Sequence, residues 1–524
     1  METTKFSYEI LKIFLVALIV YISYYYYKYF TRENPLSGPF PLPFIGNIHQ
    51  VFKNSTFEPK IIQAKYGDLC EFYVGSQRFI LLNNDDLIQK IMKPTINGPF
   101  HNRVNDDNEG LKEIGLLNTG LVFNNDYDNW QYHRKFFSKV IMSPPFIKQS
   151  VIAVQNSFLE MEKYWEKFGE NTVFEFNHWI TRYFFDTIFI TTTSKPAYAL
   201  ANYYNKLTPN EKSTLPESIL KESSTFIESV DAFVYSMLYF FIVPRIVRNL
   251  PGIKRYTQYI KDRVSWLRNN VDNIIKSKRE EISKTPIDQK LKSDMLTMFL
   301  TVNTERDITE RIADDLHDKP MSDKVVQENF MEVLSAGIDT SSNSMCFLVD
   351  FLENNPKAKQ RMIEEIERIL GKDPNSSFTL EDLSKLEYVE ATIKEASRLR
   401  AIAPTLFKKN SVPEVIGGYK WSKDTYFMMS IDKIQNHESY WKDPETFNPD
   451  RFMDNPESKN KVYMFGGGLR KCPGRNLAMM ELKATLAMLY RKYDVELLGP
   501  LKGHVGASRK CDELKVKLRK RKNF

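Results

Sequence analysis

"FGGGLRKCPGRNLAMM" occupies residues 465–480, and its reading decides how the rest of the chain is understood. Gly466, Gly467 and Gly468 stand ahead of Cys472, and Gly474 stands behind it. Glycines let a backbone pass close to a flat object because no Cβ intervenes. The following NLAMMELKATLAMLY reads as a helix, which puts Cys472 at a helix N-terminus. There the dipole and the free N–H groups favour a thiolate.

Spacing tests the readings of this cysteine. A cysteine phosphatase needs an arginine six residues on, and position 478 is Ala478. A P-loop needs Gly-Lys-Ser/Thr, yet Lys471 is followed by cysteine. A Cys–His hydrolase needs a partner histidine, and none of the 7 has a recognisable setting. A buried structural cysteine accounts for the sulfur but leaves the glycines unexplained. A thiolate with open space above it is a soft axial ligand for haem iron.

The remaining cysteines, Cys70, Cys346 and Cys511, lie far apart and form no CxxC pair, so neither a disulfide framework nor a Cys-rich zinc site is expected. The chain has 524 residues, with 42% hydrophobic and 27% charged, which is a globular composition. A net charge of +7 is mild at this length and suits a surface near acidic lipid or an acidic protein. No concentrated basic stripe indicates nucleic acid. In the tail at 514–524, Leu514, Val516 and Leu518 alternate with basic residues, the pattern of an edge strand.

At the other end, residues 13–27 read IFLVALIVYISYYYY without a charge. Extended back to Ile10, with Lys12 able to snorkel, the run is near the lower limit for crossing ~30 Å of hydrocarbon. Tyr24, Tyr25, Tyr26 and Tyr27 suit an interfacial aromatic belt, and no small-residue cleavage site follows them. Residues 1–30 are expected to be a retained membrane anchor. Its orientation is not set by charge, since Lys5 and Lys12 balance Lys28 and Arg32. Residues 31–47 hold prolines at 35, 39, 41 and 43 and read as a stiff proline-rich hinge. Residues 48–524 are expected to form one catalytic domain.

That domain reads as mainly α with small β-sheets. Residues 70–84 suggest two strands about a Gly-Ser turn, and VIGGYKW another. Amphipathic helices are expected from Asp128, Ser150 and Tyr259, and loops in the polar stretch 283–321. The most demanding segment runs from a cap at Ser322 or Asp323 to Pro356. About 30 helical residues span ~45 Å, enough to cross the core. Yet its middle holds Gly337, Asp339, Thr340, Ser341, Ser342, Asn343 and Ser344. A glycine there costs ~1 kcal/mol against alanine, and core polar groups need partners.

Phe465, Gly468, Arg470, Cys472 and Gly474 together match Phe-x-x-Gly-x-Arg-x-Cys-x-Gly. This resembles the haem-binding signature of the cytochrome P-450 family of haem-thiolate monooxygenases. Further motifs stand upstream in order. AGIDTS at 336–341 resembles the oxygen-activation motif of the family's long central helix. EASR at 395–398 resembles its Glu-x-x-Arg motif, FNPDRF at 447–452 the stretch supplying a partner arginine, and WQYHR at 130–134 its Trp-x-x-x-Arg segment. Anchor and hinge add a resemblance to the membrane-bound class, so the likeness covers essentially the whole chain.

The resemblance implies haem b with Cys472 as axial ligand, shielded by Phe465. It implies Arg470 and Arg134, assisted by Trp130, at the haem propionates. It gives Ala336 and Gly337 the role of leaving room for dioxygen, and Thr340 with Asp339 that of proton delivery. It makes Glu395, Arg398 and Arg451 a buried network that serves folding. Lys408 stands near where many relatives carry Arg or His toward a propionate, which puts that contact in doubt. The reaction implied is insertion of one oxygen atom from dioxygen into a lipophilic small molecule. No Gly-x-Gly-x-x-Gly element is present, so electrons are expected from a membrane-bound NADPH–haemoprotein reductase, with cytochrome b5 as a second donor. Lys461, Lys471 and Arg475 lie on the cysteine side for such a partner. The location implied is the endoplasmic reticulum membrane, single-pass, with the catalytic domain facing the cytosol. Substrate lining is expected from 100–125, 200–245 and 401–407, including Tyr239, Phe240, Phe241 and Phe407. Two rival readings are a haem-thiolate isomerase or dehydratase, against which AGIDTS argues, and a haem-binding membrane protein without turnover.

Overall fold

Leu69–Val74 (β1) and Gln77–Leu82 (β2) pair antiparallel about Gly75, whose φ of +61° suits the turn between them. The computed structural model describes residues 2–521 apart from 54–55, 58–59, 94–97, 212, 214, 310–319, 455–460 and 507. These residues fall into two units, 1–102 with 405–434, and 103–404 with 435–524.

The first unit is built on a four-stranded sheet. Thr405–Lys409 (β3) and Tyr426–Ser430 (β4) complete it in the order β1-β2-β4-β3, with β2 and β4 parallel. Every residue of β4 is buried, so the strand shows no apolar alternation. The segment VIGGYKW forms a hairpin, with Glu414–Ile416 paired to Tyr419–Trp421. Ahead of the sheet stands helix α1, Glu2–Phe30. Within it Tyr8–Phe30 is long and apolar enough to cross a membrane, and only 6% of its most apolar stretch is buried. The proline segment is strapped to β1: Asn47 donates to the carbonyls of Pro39 and Phe40 and accepts the Tyr73 N–H at 2.8 Å. Gly46, with φ +61°, is required there, since a Cβ would lie 2.4 Å from the Tyr73 carbonyl oxygen.

The second unit is a helical body. It contains Tyr127–Ile141 (α2), Pro144–Phe168 (α3), Phe176–Thr193 (α4), Glu217–Ile242 (α5), Pro251–Lys284 (α6), Asp323–Asn354 (α7), Glu387–Leu399 (α8) and Arg475–Lys492 (α9). The segment read as loops, 283–321, holds a short buried helix, Met295–Thr301, and its residues 310–319 lie outside those described. Helix α5 is also apolar enough to span a membrane but is 39% buried and packs within this unit.

Helix α7 is capped by Ser322, whose Oγ accepts the Val325 N–H, and stops at Asn355, where Pro356 opens the next helix. It packs most closely on α4. Gly337 permits that approach, because a Cβ would lie 3.1 Å from Ile188 Cδ1. The C-terminal tail is a strand, as its alternation suggests, but a central one and not an edge: Lys515–Lys520 lies between Tyr493–Leu497 and the short strand Phe174–Glu175 and buries Val516 and Leu518. Labelled in chain order, Tyr493–Leu497 is β5, Lys502–Val505 β6, Arg509–Glu513 β7 and Lys515–Lys520 β8. The β6–β7 hairpin packs against α7.

Candidate active site

The loop before α9 is wound by its glycines. Gly466 and Gly468 both take φ of +67°, which side chains rarely adopt. The Cys472 N–H donates to the Phe465 carbonyl at 2.9 Å, closing the loop. Gly474 is the N-cap of α9, so Cys472 stands just ahead of the helix. Its thiol is reachable by solvent while Cys70, Cys346 and Cys511 are buried. Burial nevertheless pushes the Cys472 thiol up, against the pull of the Gly474 N–H and of Arg134, Arg103 and Arg475. The dipole alone therefore does not favour the thiolate here, because desolvation outweighs it. A metal replacing the proton reverses that balance.

Three guanidinium groups gather near this sulfur. Arg470 is buried and lies over the Trp130 ring at 4.2 Å. It donates to the carbonyls of Leu121, at 3.0 Å, and Asn124. Arg103 reaches the Arg470 carbonyl at 3.2 Å. Arg134 has no ion pair with a carboxylate among the described residues. Burial, then the charge of Arg103, brings Arg470 down to about 8, with Arg134 adding to the effect. Arg103 and Arg134 are lowered too, chiefly by burial. Glu332 is the carboxylate that offsets Arg103 and Arg470. Such a gathering of buried and half-buried positive charge suits a ligand carrying two carboxylates, as haem b does.

Along α7 most central residues are buried, but Ala336 and Thr340 are exposed and Ser344 half-exposed. Spaced by four, they form one accessible face of the helix. The Thr340 hydroxyl donates to the Ala336 carbonyl at 2.7 Å. Gly337 faces Ile188 on α4, so its missing side chain is explained by helix packing. Asp339 turns to the β6–β7 hairpin, pairing with Lys510 at 3.2 Å and accepting from Ser508 at 3.3 Å. Asn343 holds both partners, donating to the Asp339 carbonyl and accepting the Cys511 N–H at 2.6 Å. Thr340 and Asp339 are thus neighbours in sequence that the helix directs to different surroundings.

Glu395 accepts both Arg398, at 2.8 and 2.9 Å, and Arg451, at 3.0 Å. Glu395 and Arg398 are fully buried. Three of the aromatics expected to line a substrate space have packing partners of their own. Tyr239 is buried with its hydroxyl 2.7 Å from that of Thr257, and Phe240 is buried under Arg248. Phe407 packs edge-on against Phe79 within the first unit's sheet. Arg103, Glu332 and Lys510 were not legible as site residues, because no local motif marks them.

These features set an accessible thiol among guanidinium groups, an arrangement that suits a ligand with negative charge. The cytochrome P450 family profile matches residues 36–502. The chain is 24% identical over 510 residues to cytochrome P450 3A14 of Cavia porcellus, covering 93% of this chain and 91% of that protein. It is 26% identical over 520 residues to probable cytochrome P450 554A1 of Dictyostelium discoideum, covering 93% and 95%. It is 23% identical over 443 residues to aromatase of Homo sapiens, covering 83% and 76%. The chain belongs to the cytochrome P450 family. It is accordingly a haem b oxidoreductase of the monooxygenase class.

Proposed function

We propose that Cys472 is the axial thiolate ligand of haem b, and that the chain inserts one oxygen atom into a lipophilic small molecule using electrons from a separate NADPH–haemoprotein reductase. The observation that carries this is the Cys472 thiol, reachable yet desolvated, beside Arg103, Arg134 and Arg470. Haem b supplies dioxygen binding and activation when bound.

The chain's own residues prepare the site. Phe465 would shield the sulfur, and Gly468 and Gly474 would let the loop approach the bound group. Arg134, Arg103 and Arg470 would offset propionate charge, with Arg470 resting on the Trp130 ring. Ala336 leaves space on the exposed stripe of α7. The Thr340 hydroxyl, donating to its own helix, keeps lone pairs free to accept from water and so holds a proton carrier at this face. Asp339 serves proton entry when its pair with Lys510 opens. Glu395, Arg398 and Arg451 stabilise the fold around the site.

Helix α1 anchors the chain as a single span in the endoplasmic reticulum membrane, with the catalytic body facing the cytosol. Lys461, Lys471 and Arg475 meet the reductase, and cytochrome b5 is a second donor. A reduced, carbon monoxide-treated sample should give the strongly red-shifted Soret band of thiolate ligation. NADPH consumption with purified reductase across a panel of lipids then tests turnover. A normal band with no NADPH consumption by any lipid contradicts the monooxygenase reading and leaves ligation standing.

A further inference from the structure

The loop at 118–125 is gripped from two sides. Glu332 lies on α7, four residues before Ala336, and accepts the N–H groups of Leu121 at 2.6 Å and Val122 at 2.9 Å. The approach is tight: Gly120 has φ +58°, and a Cβ there would lie 2.6 Å from the Glu332 carboxyl carbon. On its other side the same loop receives Arg470, through the carbonyls of Leu121 and Asn124. Arg103 adds a bond to the Val122 carbonyl at 3.4 Å and another to the Arg470 carbonyl. Leu121 is the common point, its N–H held by Glu332 and its C=O by Arg470.

We infer that Glu332 is a positioning residue for the haem edge: by clamping this loop it fixes the Arg470 guanidinium, and the Trp130 ring beneath it, against the group held at Cys472. The inference rests on the proposal that Cys472 binds haem. Removing the clamp frees the loop carbonyls to move, and Arg470 moves with them.

Glu332 also has a route to solvent. It borders a cavity of about 270 Å³ lined by Arg268, Lys324, Gln327 and Glu328, and Lys324 is exposed. The charged groups facing it are Glu328 and Lys324 from α7, Arg268 from α6, Arg103, and Arg470 from the cysteine loop. Burial pushes the carboxyl up to about 7, against its two N–H donors and Arg103. Ionised, it accepts both N–H groups; protonated, it gives up an acceptor site to its own hydrogen. The clamp is therefore tight above neutral pH and slack below it.

The test is haem transfer from the full-length holoprotein to excess apomyoglobin between pH 6 and pH 8. In the native protein the rate should rise as pH falls. Glu332→Gln should transfer haem about tenfold faster at pH 8, the scale of one lost charge-assisted bond, and show little dependence on pH. Gly120→Ala, which pushes the loop away while leaving the carboxylate, should accelerate transfer similarly. A Glu332→Gln protein with the native rate and native pH dependence overturns the inference, as does Gly120→Ala at the native rate. If Glu332→Gln fails to fold, the Gly120→Ala rate decides alone. A native protein lacking the red-shifted Soret band refutes the Cys472 proposal itself, and the inference with it. A normal band with unchanged variant rates refutes the clamp alone.

Discussion

Glu395→Gln should be among the most damaging single changes in this chain. One oxygen of Glu395, Oε1, accepts Arg398 Nη2, Arg451 Nε and the Asn448 N–H, while Oε2 accepts Arg398 Nε. Glutamine keeps the size but removes the charge and turns an N–H₂ toward a guanidinium. Arg398 is 0% exposed, so its charge is left buried with only neutral partners such as the Gln435 carbonyl, at 2.7 Å, and the Trp441 ring. Breaking a buried network by removing one partner costs ~3–5 kcal/mol. At ~1 °C per kcal/mol for a chain of this length, Tm should fall by ~3–5 °C. Arg451 is 12% exposed, so Arg451→Met should cost less than half as much. Thermal unfolding followed by circular dichroism, at matched haem content, measures both. Glu395→Gln within ~2 °C of the native Tm would refute the reasoning, and so would Arg451→Met costing as much as Glu395→Gln.

Of the buried carboxyls pushed up by desolvation, three reach neutrality: Asp186 at about 7, Glu332 at about 7 and Glu481 at about 8. Through these three groups the folded state binds more protons than the unfolded chain between about pH 4 and about pH 8, so their contribution to stability should fall as pH rises through that window, against the opposite effect of the lowered His133 and His178. Glu481→Gln should flatten part of this slope in denaturant titrations at pH 5, 6, 7 and 8; an unchanged slope contradicts the assignment. At Gly337, alanine should be nearly neutral in Tm, since ~1 kcal/mol of helix propensity offsets a small shift of the Ile188 side-chain end. Gly337→Val should cost ~1–3 kcal/mol by overpacking against α4, and a neutral valine would mean the helices are not in contact there. Asn343→Ala should cost ~1–3 kcal/mol by leaving the Cys511 N–H buried without its acceptor, measured by the same unfolding assay.

Much of the fold was legible because its signals are local. The hairpin around Gly75, the cap at Ser322 and the alternation of Val516 and Leu518 each lie within a few residues of what they specify. The cysteine loop was legible for the same reason, since two left-handed glycines and a helix start are short-range features. Fully buried elements were not. Strand β4 has no exposed face to alternate with, and Met295–Thr301 is a short apolar run inside a polar stretch. The Glu332 clamp joins residues 211 apart, and Lys510 reaches Asp339 from the C-terminal hairpin. No window along the chain contains either pair. Asp339 shows the same limit: its motif gives its neighbour Thr340, and only the fold gives Lys510.

The central claim concerns one sulfur, and the carbon monoxide difference spectrum of the dithionite-reduced protein tests it most directly. Native protein should show the strongly red-shifted Soret band, and Cys472→Ser should lose it. A native spectrum without that band, or a serine variant that keeps it, would contradict the assignment of Cys472 as the ligand.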